Sequence, residues 1–395
     1  MALDARQTDR HTTGMRIAIG IFRLLPRGGL EDHCVRISEE LARRGHRVTV
    51  FATGVIPELE LTTRQLPRRG RSNHASMLAF GKAFMEASRQ GFDRRVAFQP
   101  VPGADLIVLA DPVRGGRQAS WWKRILPRQR TYAAIEKVCF AQEAHTRIIG
   151  FAAPQMRELV ATYSTPPDRI AVLPPTVSPR FGGRVGTSEE ERKVLRHELG
   201  IPADGALWLW AGLQPHVKGL DRTIDALARA PGARLLVAGI AEDHPKLKPY
   251  LKRAVRIGVR CRLHPLGFLG PEAMTRAFSA ADALVHPARH DVTGTVILEA
   301  LVNGTPVVST GPCGYSTHVA RSGAGLVLPE PFDPGTFDAA LAEVCGSSNR
   351  LLSKKGIAYG KDPSLFSGIA CAAALIEARL DRPWPVKANG ASLDP

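Results

Sequence analysis

The feature that most limits what this chain can become is a recurring grammar. Short apolar runs of strand length are each followed by a loop and then by a segment of helical period. Met15–Phe22 reads as a first buried strand; a loop with Gly28 and Gly29 leads to a helix over Glu31–Arg44, which Gly45 closes before the strand Arg47–Phe51. Further strands are expected at Ala104–Ala110 and Ile170–Leu173. After Pro174-Pro175 the pattern restarts, with strands at Leu207–Ala211, Arg234–Ala238, Ala283–His286 and Pro306–Ser309 and helices at Leu220–Ala230, Pro271–Ala280 and Thr295–Val302. Alternation of this kind builds α/β layers on parallel sheets. At 395 residues the chain is long enough for two such domains. The expected division is a tail over 1–14, a first domain over 15–177, a second over 178–362, a final helix within 363–382 and a tail over 383–395. Ligands of open α/β sheets bind outside the carboxyl ends of the strands, so a cleft between two facing domains is the expected site.

Composition removes several alternatives. The six cysteines show no C-x-x-C spacing, which argues against a zinc finger or redox pair. The first residues lack the apolar core of a signal peptide, and no run reaches the ~18 apolar residues a membrane span needs. A cytoplasmic protein is expected. Lys plus Arg number 53 against 37 Asp plus Glu, and residues 1–180 carry 28 basic and 16 acidic side chains. That asymmetry suits an anionic partner (nucleic acid, an anionic membrane or a phosphorylated substrate), although an Arg-rich codon bias would produce it too.

Four constellations could carry chemistry. In Gly212–Gly219, between a strand and a helix, Lys218 stands beside helix amides and suits a diphosphate; a plain surface lysine would look the same, and the Walker order is absent. In Asp291–Glu299, Gly294 opens a helix whose first amides, at Thr295 and Val296, can receive a phosphate. Glu299 is the one acid on that apolar helix and needs hydroxyl or cationic partners; a ribose diol or a structural ion pair would serve. In Pro26–His33, Gly28 and Gly29 allow close backbone approach to a donor, and His33 could meet charge on a leaving diphosphate, or be an ordinary first-turn residue. The fourth is the acid-free stretch from Arg114 to Arg130, with Arg117, Trp121, Trp122, Lys123, Arg124 and Arg128. It suits anionic lipid headgroups, single-stranded nucleic acid, or a solvated helix.

Together with Arg44-Gly45-His46, Lys218-Gly219, Glu299-Ala300 eight residues after an acid, and Gly304–Val308, these pieces resemble the retaining glycosyltransferases of family 4. Within that family the chain is similar to glucosyltransferases of the lipopolysaccharide core, through Cys313-Gly314-Tyr315 with His318, Glu330–Phe332, Ser72–His74 and Tyr132–Ala134. The resemblance implies the GT-B fold, two facing Rossmann-like domains with a C-terminal helix crossing back toward the first. It implies that Lys218 neutralises the diphosphate of a nucleotide sugar, UDP-linked hexose being expected. Asp291 would contact the transferred sugar, amides after Gly294 the phosphate, and Glu299 the ribose. Gly28, Gly29 and His33 would line the acceptor side, with Asn73, His74 and Asp111. The Trp-containing basic segment would face an anionic membrane surface, where a lipid-linked glycan is the acceptor, and no nucleic-acid partner is expected.

Two positions depart from the family pattern. Its first acid is Asp291 here, one methylene shorter, and the arginine that accompanies the Lys-Gly pair is missing, with Leu213 and Val217 nearby and Arg222 out of alignment. A degenerate pair of domains that binds lipid or a partner without transferase activity is therefore the alternative. No Asp-x-Asp motif occurs, so neither metal nor other cofactor is expected and Lys218 with helix amides would meet the leaving-group charge.

Overall fold

The computed structural model describes residues 14–24, 28–54, 59–115, 126–181, 189–198, 200–202, 205–382 and 384. Of the basic segment, Arg117, Trp121, Trp122, Lys123 and Arg124 lie outside the described residues, as do Pro26 and the greater part of both expected tails. The chain forms two units: one of residues up to Gly150, Met156–Leu173 and Ile369 onward, the other of Phe151–Gln155 and Pro174–Gly368.

The first unit holds a seven-stranded parallel sheet of β1 (Arg16–Gly20), β2 (Arg47–Ala52), β3 (Thr62–Gln65), β4 (Arg94–Ala97), β5 (Leu106–Leu109), β6 (Arg147–Gly150) and β7 (Ile170–Val172), in the order β3-β2-β1-β4-β5-β6-β7. Strands this apolar must be covered on both faces. One face packs Ala18, Phe51, Ala97, Ile107 and Ile148 against Phe80, Phe84, Phe140 and Met156 from the covering helices. The first helix runs Gly29–Arg43, two residues earlier than its charge pattern suggests, because Gly28 in an extended conformation provides its N-cap.

The second unit has its own parallel sheet of β8 (Leu207–Ala211), β9 (Arg234–Ala238), β10 (Leu263–Gly267), β11 (Ala283–His286), β12 (Val307–Thr310) and β13 (Gly325–Leu328), in the order β10-β9-β8-β11-β12-β13. Alternation along β8 is strict: Leu207, Leu209 and Ala211 enter one core, Trp208 and Trp210 the other. β8 pairs with β11 in parallel register, Ala283 opposite Trp208 and Leu284 opposite Leu209. The strand order reverses at this pair, so the loops leaving β8 and β11 open side by side at the carboxyl edge, the position where such sheets bind ligands.

The final helix expected within 363–382 is two elements, a 3-10 turn at Pro363–Phe366 and an α-helix at Gly368–Glu377. The break follows from Gly368, whose N–H donates to Pro175 O at 3.0 Å and which has Pro174 O where a Cβ would be, at 2.3 Å. The helix is tied to the first unit through Glu377, which pairs with Arg44 at 3.0 Å and His46 at 2.8 Å, and through Ile376 O and Ala378 O, which accept from Arg94. No helix among the described residues is long and apolar enough to cross a membrane.

Candidate functional site

The loop after β8 climbs from Gly212 to Lys218 and stops at Gly219, which is the N-cap of the helix Leu220–Arg229. Gly219 is glycine for two reasons: its φ is +70°, and a Cβ would lie 2.0 Å from Pro287 O in the neighbouring loop. Lys218 therefore precedes a helix start, not a helix end. Its carbonyl accepts from Trp210 Nε1 at 2.9 Å and its N–H donates to Gln214 O at 3.0 Å, which fixes the backbone from which the side chain reaches out.

The loop after β11 supplies the other half. Asp291 is bridged to Cys313: its N–H donates to Pro312 O at 3.1 Å and its carbonyl accepts from Gly314 N at 3.0 Å. Its carboxylate receives Lys218 Nζ at 2.6 Å and His286 Nε2 at 3.0 Å, both on Oδ2. His286 is fully buried at the end of β11, and Asp291 is 13% exposed. Burial alone would push the carboxyl of Asp291 up, but the Lys218 charge and the hydrogen bond from His286 outweigh it and hold it below the usual carboxylate range. Burial pushes His286 down, so the imidazole is neutral; because the carboxylate can only accept, Nε2 carries the proton. Its Nδ1 has no hydrogen-bond partner among the described residues. Burial likewise raises the Cys313 thiol, which donates to Thr293 O at 3.5 Å. Among the described residues His286, Asp291 and Cys313 place ligand atoms within 4.8 Å of one another, and the carboxylate of that group is held by the Lys218 ammonium.

Gly294, φ +70°, caps the helix Thr295–Val302 with no side-chain cap bond, and a Cβ there would meet Cys313 Sγ at 2.4 Å and Asp291 Oδ2 at 3.6 Å. The first amides of the helix, Thr295 and Val296, thus open beside the Asp291 carboxylate. Glu299 sits one turn further on, partly exposed, with its own carbonyl bonded to Asn303. Lys218, Asp291, Gly294, Thr295, Val296 and Glu299 accordingly share one edge of one sheet.

Two arginines link the loops in a way the sequence did not suggest. Arg289 grips Asp221 at 2.8 and 2.6 Å and His216 O at 2.7 Å, while its N–H donates to Val217 O at 2.8 Å. Arg222 donates to Pro287 O at 3.2 Å and Glu330 at 3.3 Å and lies 4.0 Å from the centre of the Phe332 ring. His286 and Arg289 were missed as site residues; the only signal was their place in the run His286–Asp291, where a histidine ends a strand and an arginine enters the turn.

The remaining expected residues belong to the first unit. Gly28 has Glu31 Oε2 where a Cβ would lie, at 1.8 Å, whereas Gly29 has open space. His33 is buried, and burial pushes it down to about 4. It is therefore uncharged at neutral pH, and the part expected for it, meeting charge on a leaving diphosphate, would fall to a hydrogen bond. Glu31, unremarked in the sequence, is raised by burial and by the neighbouring charge of Asp111. Asn73 and His74 begin the helix Asn73–Ala87, where His74 Nε2 is 3.1 Å from Oγ of the N-cap Ser72. Arg114 lies 4.5 Å from the centre of the Tyr132 ring, and its N–H is held by the buried Glu136. Arg128 and Arg130 are exposed on the helix Pro127–Phe140.

Residues 191–360 match the family described as glycosyl transferases group 1, and residues 27–181 match glycosyltransferase family 4. The lipopolysaccharide glucosyltransferase WaaG of Escherichia coli is 30% identical over 85% of this chain and 90% of its own length. A D-inositol 3-phosphate glycosyltransferase of Geodermatophilus obscurus is 28% identical over 80% and 77%. The crystal structure of WaaG covers 92% of this chain and 100% of its own at 27% identity, with a TM-score of 0.84. Anabaena HepE in complex with UDP-glucose has the same fold at 16% identity, covering 91% and 98% with a TM-score of 0.71. With two parallel-sheet units and matches along most of its length, the chain belongs to the GT-B glycosyltransferases of family 4.

Proposed function

We propose that this glycosyltransferase is a retaining enzyme that moves a hexose from UDP to a lipid-linked glycan of the lipopolysaccharide core, without a bound metal, in the cytoplasm at the inner face of the membrane. The observation that carries the donor half is the meeting of Lys218 and Asp291 at 2.6 Å beside the open helix start at Gly294, with Glu299 one turn beyond. The acceptor half is supported by the likeness to WaaG, whose name gives it that class of substrate.

In this reading Lys218 and the amides of Thr295 and Val296 take the diphosphate, Glu299 accepts from the ribose hydroxyls, and Asp291 accepts from hydroxyls of the sugar. Breaking the bond from the anomeric carbon to the diphosphate leaves negative charge on the departing oxygen, which a fixed ammonium and helix dipole stabilise without reorganising. The acceptor hydroxyl attacks from the face the diphosphate leaves and passes its proton to a diphosphate oxygen. Neutral His33, Gly28, Gly29, Asn73, His74 and Asp111 serve the acceptor side through hydrogen bonds. The cationic run with Arg114, Arg117, Trp121, Trp122, Lys123, Arg124, Arg128 and Arg130 contacts anionic lipid.

The test is transfer from UDP-glucose to a truncated lipopolysaccharide core in the presence of EDTA, with the product linkage read by NMR. An α-linked glucoside formed at an undiminished rate is expected. A β-linked product would refute retention, loss of rate with EDTA would refute metal independence, and no transfer from any nucleotide sugar would favour a binding module.

A further inference from the structure

Lys218 Nζ stands 2.6 Å from Asp291 Oδ2, a separation that admits no ligand atom between them. An ammonium has three N–H groups, so a diphosphate can share Lys218 with Asp291, but its charge beside the carboxylate weakens the pair and draws the ammonium toward phosphate. Asp291 cannot follow. Its backbone is pinned on both sides, to Pro312 O and to Gly314 N, and its side chain is 13% exposed. What stays with it is the neutral His286, one N–H at 3.0 Å. A buried carboxylate stripped of its cation is strongly unfavourable unless new donors replace it. The hydroxyls of a sugar are such donors. A nucleoside diphosphate offers none at that place.

We propose that the Lys218–Asp291 pair makes this site select the intact nucleotide sugar over the free nucleoside diphosphate, so that the spent carrier is expelled once its sugar has gone. The proposal rests on the reading of the site as a donor site. With the sugar bound, both members of the pair exchange one partner for another: Lys218 takes phosphate, and Asp291 takes hydroxyls. With the diphosphate alone, only one member is repaid. After transfer the ammonium therefore returns to Asp291 and the diphosphate leaves. The shorter acid fits the same device, because Asp291 is held by its own backbone bridge to Cys313 at the spot where Lys218 reaches it.

The two arrangements differ in sign. If Asp291 touched no hydroxyl of the sugar, it would only repel phosphate, and removing its charge would tighten every nucleotide equally. If it accepts from those hydroxyls, removing the charge frees Lys218 for phosphate and also removes the acceptor for the sugar.

Calorimetry with UDP and UDP-glucose, GDP and GDP-mannose, and ADP and ADP-glucose tests this on the whole chain. For whichever base the wild type binds, the sugar conjugate should bind about tenfold or more tightly than the diphosphate. In Asp291→Asn the diphosphate Kd should fall about fivefold or more while that of the nucleotide sugar rises; in Asp291→Glu the preference should survive. Parallel shifts in Asp291→Asn, in either direction, overturn the proposal, as does no shift in a folded variant. A wild type that binds both ligands equally overturns it without any variant. A wild type that binds no nucleotide at all removes the donor-site reading itself and this proposal with it.

Discussion

Buried titratable side chains in this chain divide by what reaches them. Asp291 stays ionised because a lysine and an imidazole N–H touch it; His33 and His318 stay neutral because burial outweighs the charges nearby, and both are pushed down to about 4. For a histidine whose folded pKa lies below its unfolded value near 6.5, the stability held at neutral pH is lost as pH falls from about 6.5 toward 4, because the unfolded chain takes the proton first. For the fully buried His33 the whole effect is at most ~3 kcal/mol. Urea unfolding at pH 7.5 and pH 5.0 should show the wild type losing stability at the lower pH, and His33→Gln losing less. An equal loss in both would mean that His33 is solvated. Asp291 contributes in the same direction but below its own unfolded value near 3.8, so the two windows separate.

At the scale of elements, the loops after β8 and β11 act as one body, because Arg289 ties Asp221 and His216 O of the first to the second. Arg289→Ala removes a bidentate pair and a carbonyl bond that hold the backbone of Lys218. It should cost about 1–2 kcal/mol of stability and raise the donor KM about tenfold, with a smaller change in kcat. An unchanged donor KM would assign the arginine to the fold alone. It also stands in for what the family pattern lacks near Val217: not a second cation free for phosphate, since Asp221 neutralises it, but a brace for the first. Much of this region was readable in the sequence. β8 and β11 are apolar runs with clear ends, and the Lys-Gly and acid-x7-Glu spacings name the residues. Their meeting was not readable, because Lys218 and Asp291 are 73 residues apart and only the strand order brings their loops together. β4 was missed for a related reason. Arg94 and Arg95 open a four-residue strand that no hydropathy pattern marks, and Arg94 is buried only because the returning C-terminal helix gives it two carbonyls. β3, Thr62–Gln65, is an exposed polar edge strand and carries no apolar signal at all.

For the whole molecule, the repeated strand–helix grammar gave two parallel sheets of the same handed order, each with its reversal beside the first strand of its unit. Twelve of the sixteen excess positive charges lie in residues 1–180, whereas the Lys218–Asp291–Glu299 edge belongs to the second unit. Charge and the proposed donor chemistry are thus separable by mutation, and the proposed donor edge carries the account. Its most direct test is nucleoside diphosphate release from nucleotide sugars by the purified wild type, Lys218→Ala and Glu299→Ala, with thermal unfolding as the control for folding. The account predicts release by the wild type and a fall of about a hundredfold or more in each variant, at unchanged Tm in Glu299→Ala and at a lowered Tm in a still folded Lys218→Ala, which leaves Asp291 without its cation. Release at the wild-type rate in either folded variant would contradict it.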